Sequence, residues 1–233
     1  MSQTAVKYIH NHAVLYDPDY PHRWIDVFGP NVVKTFFDAA QYNNAMYTET
    51  AVNASTIAGA ASLDGGPLVF TAGGADNDGI QAQQEAEQYY PGHLNYPFYF
   101  GCRVKWNDIT QSDALLGFFI TDTTAIDGGT DGIYFRQVDA SAVVSFVLEK
   151  DSVENANTVN TGADDTYYTY EFLAPGDGYI YYYLNGVEIG SIANTNASYP
   201  NDEHLAFIMA YLSGEGVANT MHVLWARAFQ IYE

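Results

Sequence analysis

Positive charge is what this sequence has least of: eight lysines and arginines stand against 28 aspartates and glutamates in 233 residues, a formal net charge of −20. A field of that sign repels a phosphate backbone or an anionic lipid surface, and the sequence shows no run of Lys and Arg that would make a local exception. Nucleic acid and membrane surfaces are therefore excluded as partners. Cysteine is almost missing as well. A lone Cys102 cannot make an intrachain disulfide, and its place within a strand pattern reads as a small buried residue in a chain suited to a reducing cytoplasm. There is no uninterrupted apolar run of bilayer length, and residues 1–10 lack the apolar stretch of a secretory leader, so secretion is not expected. No Pro/Ser-rich linker divides the chain, no Ser-His-Asp arrangement or phosphate-cradling glycine loop is present, and no cysteine metal motif can be built.

What is there is apolar and aromatic: 48% hydrophobic residues, 20 of the residues tyrosines. That is enough for one large core with tyrosine tips reaching solvent. Residues 97–106, 114–121, 132–138 and 142–149 are rich in β-branched and aromatic side chains and are separated by Asn/Asp/Gly/Ser turns, so four successive strands forming an antiparallel meander are expected. Phe98, Phe100, Cys102 and Val104 share one face of the first, and Val144, Phe146 and Leu148 one face of the last, with Val143 and Val147 opposite. A sheet with apolar residues on both faces calls for a second sheet, hence a β-sandwich. Further strands are expected at 68–71, 166–173, 179–184, 187–192, 204–212 and 221–232, and Asn185-Gly186 carries the residues that a type I′ hairpin turn demands. Residues 81–90 could make a helical turn before Pro91-Gly92, and 38–62 is too weakly patterned to assign. The fold class is all-β, a two-sheet antiparallel jelly-roll sandwich with little helix. Residues 24–233 are expected to be its single domain and 1–23 an extended arm, with Tyr8, His10, His12, Tyr16 and Tyr20 as candidates for gripping a partner.

The succession of Asp76-Asn77-Asp78-Gly79, the strand 98–106, the strand 115–121, Gly129 to Phe135, Leu148-Glu149-Lys150-Asp151 and Tyr183 to Gly190 resembles the concanavalin A-like, laminin-G-like jelly-roll proteins found in virions of tailed bacteriophages. The resemblance covers roughly residues 64–233 and rests mostly on turn chemistry. It implies a non-enzymatic structural protein on the outer surface of a phage capsid, a decoration or auxiliary head protein assembled in the host cytoplasm. Its implied partner is the major capsid protein, and it implies a homo-oligomer, most often a trimer.

The alternative is a carbohydrate-binding or glucanase-like jelly roll. Glu149, Asp151 and Glu154 match the E-x-D-x-x-E pattern of endo-glucanases on this fold, in which the first Glu is nucleophile and the last acid/base. The plainer reading is a solvated turn, since Lys150 and Ser152 stand between the carboxylates. Trp106, Trp225 and Tyr179 to Tyr183 supply aromatics for a glycan, which a decoration protein could also meet on a host surface. Asp76, Asn77 and Asp78, or Asp122, Asp127 and Asp131, offer hard oxygen ligands for a Ca²⁺, although neither has EF-hand spacing and both suit ordinary turns; otherwise no cofactor is expected.

Overall fold

The computed structural model describes residues 4–60, 63, 65–93 and 95–232, with Asp127 described by its backbone alone. The chain opens with β1 (Ala5–Ile9), β2 (His12–Asp17) and β3 (Tyr20–Phe28), which form a three-stranded antiparallel sheet of their own. Then come β4 (Val32–Phe37), a 3-10 turn (Asn44–Met46), β5 (Tyr47–Ala51), β6 (Thr56–Gly59), β7 (Leu68–Thr71), β8 (Gly79–Gln84), β9 (Phe98–Trp106) and β10 (Ser112–Phe119). A single helical turn, α1 (Ala125–Gly128), precedes β11 (Gly132–Gln137), β12 (Val143–Lys150), β13 (Val153–Thr161), β14 (Tyr168–Ala174), β15 (Tyr179–Leu184), β16 (Val187–Ala193), β17 (Ala206–Ser213) and β18 (Thr220–Ile231).

Two antiparallel sheets make the sandwich. The front sheet runs β13-β12-β11-β10-β17-β8-β5; the back sheet runs β16-β15-β14-β9-β18-β7-β6, with β4 also paired to β18. Sequence alternation explains the core between them. The inward residues of β9 (Phe98, Phe100, Cys102, Val104, Trp106) meet those of β10, β11 and β12 (Leu116, Phe118, Ile133, Phe135, Phe146, Leu148). Phe100 stacks on Phe172 at 5.2 Å, and Phe118 meets Phe172 edge-on at 5.5 Å. Such aromatic pairs contribute about 0.5–1.5 kcal/mol each beyond the area they bury.

Four expectations are corrected here. The strand at 98–106 does not belong to the meander. It lies in the back sheet between β14 and β18, and the meander is β10-β11-β12-β13. The link between β9 and β10 crosses the sandwich because Ile109 is buried in the core and Asn107 is tied to Asn219 at 2.9 Å across the end of β18. Residues 81–84 are strand rather than helical turn: Ile80 and Ala82 enter the core while Gln81 and Gln83 face outward. Trp106 is fully buried and offers no surface for a glycan. Finally, the expected boundary after residue 23 falls inside β3, and the first residues fold into a three-stranded sheet rather than a single extended arm.

That sheet packs on the outer face of the back sheet. Val14, Trp24 and Val27 bury against Tyr99, Leu173, Tyr183, Phe229 and Ile231. A third apolar cluster lies on the outer face of the front sheet, where Leu115, Phe119, Tyr134, Val147, Ile208 and Ala210 are covered by Ala125 and Ile126 of α1.

Candidate carboxylate site on the front sheet

β12 and β13 are joined by Asp151-Ser152, both with positive φ (51° and 64°), between the paired residues Lys150 and Val153. This is the two-residue turn whose twist suits a hairpin, and it sets the register that follows. Glu149 falls directly opposite Glu154. Residues so placed carry Cβ atoms about 4.5–5.5 Å apart on the same face. The E-x-D-x-x-E stretch is therefore not one strand. Asp151 lies in the turn, exposed, and the two glutamates meet across the hairpin.

The neighbouring strand β11 supplies two more groups that the sequence reading missed. Tyr134 Oη donates to Glu149 Oε2 at 2.7 Å, and the guanidinium of Arg136 grips both oxygens of Glu154, with Nη2 to Oε2 at 2.7 Å. Their signal was the alternation Gly132-Ile133-Tyr134-Phe135-Arg136, in which Ile133 and Phe135 are core residues and Tyr134 and Arg136 must face outward. The turn is anchored in turn: Asp131, itself buried, accepts from Asp151 N at 3.2 Å, and Thr130 O accepts from Ser152 N at 2.9 Å.

These residues line a cleft of about 150 Å³ floored by Leu115, Phe119 and Tyr134 and walled by Gly128 and Gly129. Gly129 is required there, since a Cβ would stand 1.7 Å from the Phe119 ring. Glu149 is 6% exposed. Desolvation pushes its carboxyl above the ordinary glutamate value, against the hydrogen bond from Tyr134, and the charge of Glu154 adds to the rise. Burial beside the same carboxylate also pushes the Tyr134 phenol up, so Tyr134 acts as a donor.

The middle of the front face is occupied by residues 120–125, held by two glutamines. Gln83 donates to Ile120 O at 2.8 Å and accepts from Asp122 N at 3.0 Å, and Gln81 bonds Asp122 O and accepts from Ala125 N at 3.2 Å. Glu87 receives Thr121 N and Oγ1 at 2.9 and 2.6 Å. The carboxylate pair lies beyond this segment, toward the β13 edge of the sheet.

The other candidate residues are scattered. Asp78 closes its own turn, accepting from Ala75 N at 2.9 Å and from Asn53, while Asp76 and Asn77 are exposed. Asp122 accepts from Thr124 N at 2.6 Å and Asp131 from the hairpin turn; the side chain of Asp127 lies outside the described residues. Among the described residues no three His, Cys, Asp or Glu gather as metal ligands. In the N-terminal sheet Tyr8 and His10 are exposed, whereas His12 is buried with Nδ1 2.8 Å from His10 O, Tyr16 lies under Lys7, and Tyr20 packs under Arg23.

No protein-family model and no curated protein matches the chain. Solved structures do. A non-specific endo-β-1,3(4)-glucanase of family GH16, SCLam, superposes with a TM-score of 0.58 over 98% of this chain and 95% of its own, at 11% identity. The carbohydrate recognition domain of Emp46p, in its potassium-bound form, gives 0.55 over 79% and 88%, at 9% identity. A protein of unknown function from Shewanella oneidensis MR-1 gives 0.60 over 85% and 86%, at 10% identity. At these identities the likeness shows the fold, an all-β concanavalin A-like jelly roll. It also corrects the expectation that the chain is not an enzyme, because an endo-glucanase is built on this same sandwich from end to end. The capsid expectation finds no support among them: two of the three are an endo-glucanase and a carbohydrate recognition domain.

Proposed function

We propose that the protein is a carbohydrate-active jelly roll that cleaves a glycosidic bond at Glu149 and Glu154. The observation that carries this is the cross-strand placement of one protonation-prone carboxyl directly opposite one carboxylate held by an arginine. Retaining glycosidases hold their two carboxyl groups about 5–5.5 Å apart, a separation that directly opposed residues on an antiparallel pair can supply. In a reversal of the roles that the endo-glucanase pattern implies, Glu149, whose carboxyl burial raises, would donate its proton to the leaving oxygen, while Glu154 attacks the anomeric carbon and forms a glycosyl ester. Water activated by Glu149, now the base, would then release the sugar. Arg136 holds and aims the Glu154 carboxylate through two hydrogen bonds, and Tyr134 fixes the Glu149 carboxyl. Because residues 120–125 cover the middle of the sheet, substrate would reach the pair from the β13 edge. The shared fold of an endo-glucanase and a carbohydrate recognition domain supports the same reading.

The test is release of reducing ends from a panel of β-glucans, mannans and mucin-type glycans, paired with affinity electrophoresis on the same polymers. Glu149→Gln keeps the acceptor for Tyr134 and should lower hydrolysis by about 100-fold or more while binding persists. Binding without hydrolysis in the parent chain would leave a lectin. Hydrolysis unchanged in the variant would remove Glu149 from the chemistry.

A further inference from the structure

The eight Lys and Arg residues are scattered in sequence, yet four of them gather in space. On the outer face of the back sheet, Arg103 and Lys105 follow one another along β9, Arg227 lies opposite Gly101 on β18, and Arg23 reaches over from β3. Half of the cations of a chain with a net charge of −20 thus share one face. Between the N-terminal sheet and the back sheet this face opens into a cleft of about 350 Å³, lined by Tyr20, Arg23, Arg103, Tyr167, Thr169 and Asn185.

The cations there are not equally engaged. Arg23 is committed to Glu171 through Nε and Nη2, both at 2.7 Å, and Lys105 sits 3.1 Å from Asp165. Arg103 is exposed and has no carboxylate partner among the described residues; its guanidinium lies over the Tyr167 ring at 5.7 Å. Arg227 stands over Trp225 at 5.2 Å, and its Nε is buried without an acceptor. A planar fork donor resting on an aromatic ring presents its N–H edge to an oxyanion. A second ring, Tyr20, already stacked under Arg23 at 4.4 Å, walls the cleft from the other strand system. Asn185 lines the cleft and spends its carbonyl on Thr169 N at 2.9 Å, so the amide N–H groups are the donors it brings to the site. Aromatic walls, amide donors and one arginine with no carboxylate partner among the described residues are the chemistry that recognises a sugar ring carrying an anionic group.

We propose that this back-face cleft is a second ligand site, which takes a short saccharide bearing a single carboxylate or sulfate, with Arg103 as its anion contact. It takes its sugar chemistry from the carbohydrate reading but is distinct from the carboxylate pair, which lies on the other sheet. A single anionic group is specified because the field of the whole chain opposes a polyanion.

Calorimetric titration decides it, performed on the full chain carrying Glu149→Gln so that no ligand is consumed at the front. The probes are a uronic-acid disaccharide, a monosulfated disaccharide, their neutral parent and inorganic sulfate. At least one acidic disaccharide should bind more tightly than the neutral parent, weaken as salt rises, and lose about tenfold or more in affinity when Arg103→Ala is added. Arg103→Lys should recover only part of the loss, and the uronic and sulfated arms say which oxyanion is preferred. Tyr167→Ala should also weaken binding, separating a stacked sugar from a bare ion. Equal binding by inorganic sulfate would overturn the saccharide assignment. Binding of acidic disaccharide that is indifferent to Arg103→Ala would overturn the site, and so would no binding at all. A front-face failure reads differently, as loss of glycan hydrolysis and capture by the parent chain.

Discussion

Two buried glutamates, one on each outer face of the sandwich, are pushed in opposite directions. Glu149 on the front sheet has one donor, Tyr134, and a like charge opposite; its carboxyl is raised. Glu171 on the back sheet is completely buried, and burial alone would raise it too. It is lowered instead, because His22 and Arg23 outweigh the desolvation: Arg23 makes two bonds at 2.7 Å, Tyr99 Oη donates at 2.8 Å, and His22 Nε2 lies at 3.3 Å. The difference lies in where the arginine goes. On the back sheet the arginine serves the buried carboxylate; on the front sheet Arg136 serves its neighbour. A satisfied buried charge is a structural fastener, and a buried carboxyl left with a single neutral donor is available for proton transfer.

The largest effect is expected from breaking the fastener. Two of the groups on Glu171, His22 and Arg23, come from the N-terminal sheet, whose other hold is the apolar cluster around Trp24. Glu171→Ala leaves Arg23 with only the Asp17 carboxylate 3.6 Å away, and removing one partner of a buried pair costs about 3–5 kcal/mol. Urea unfolding followed by tryptophan fluorescence should show the midpoint falling. Increased hydrogen exchange confined to β1–β3 would show the sheet detaching before the sandwich unfolds. A variant as stable as the parent would mean that the apolar cluster alone holds the sheet.

A smaller and more diagnostic effect is the opposite pH dependence of the two sites. Glu171 has a folded value below its unfolded one, so its contribution is present above the unfolded glutamate value of about 4.3 and is lost as pH falls through the folded value. For Glu149 the folded value is the higher one. The fold favours its protonated form, and that advantage, complete below about pH 4.3, is lost as pH rises through the folded value. Glu149→Gln should therefore gain stability relative to the parent as pH rises from acid toward neutral, and Glu171→Gln should lose it over the same climb. Unfolding free energies of the three chains at a series of pH values make the comparison; parallel lines would refute the assignment of opposite shifts.

The alternation of apolar residues made most of the sandwich legible, because a face of Phe98, Phe100, Cys102 and Val104 can only be a core face. What alternation does not carry is which sheet a strand joins. β9 and β10 look alike in sequence, and the crossing between them is decided by Ile109 and Asn107 in the link. The first strands were obscured for a different reason. They are held in part by a polar contact, and the fastener joins residues 22 and 23 to residue 171, a long-range pairing that no local pattern announces. The carboxylates were found by motif and a turn was the plainer reading of them, but not a two-residue hairpin that sets Glu149 opposite Glu154. Their actual geometry follows from Asp151-Ser152 being a turn, and Ser is a poor announcement of positive φ.

That turn yields the smallest effect and the most direct check of how the front site is held. Ser152 sits at φ 64°, where an L-residue other than Asn or Asp is strained by about 1–2 kcal/mol. Glycine removes that strain and completes the Asp-Gly pair that type I′ turns favour, at the cost of its own backbone entropy, about 0.5–1 kcal/mol. Ser152→Gly should thus raise stability by about 0.5–1 kcal/mol, read as a higher midpoint in thermal or urea unfolding. Because a two-residue turn is preserved, Glu149 should remain opposite Glu154, and amide shifts in β12 and β13 should move only beside the turn. A fall in stability would mean that the Ser152 side chain, not the backbone, closes the hairpin, and that the carboxylate pair owes its register to something other than this turn.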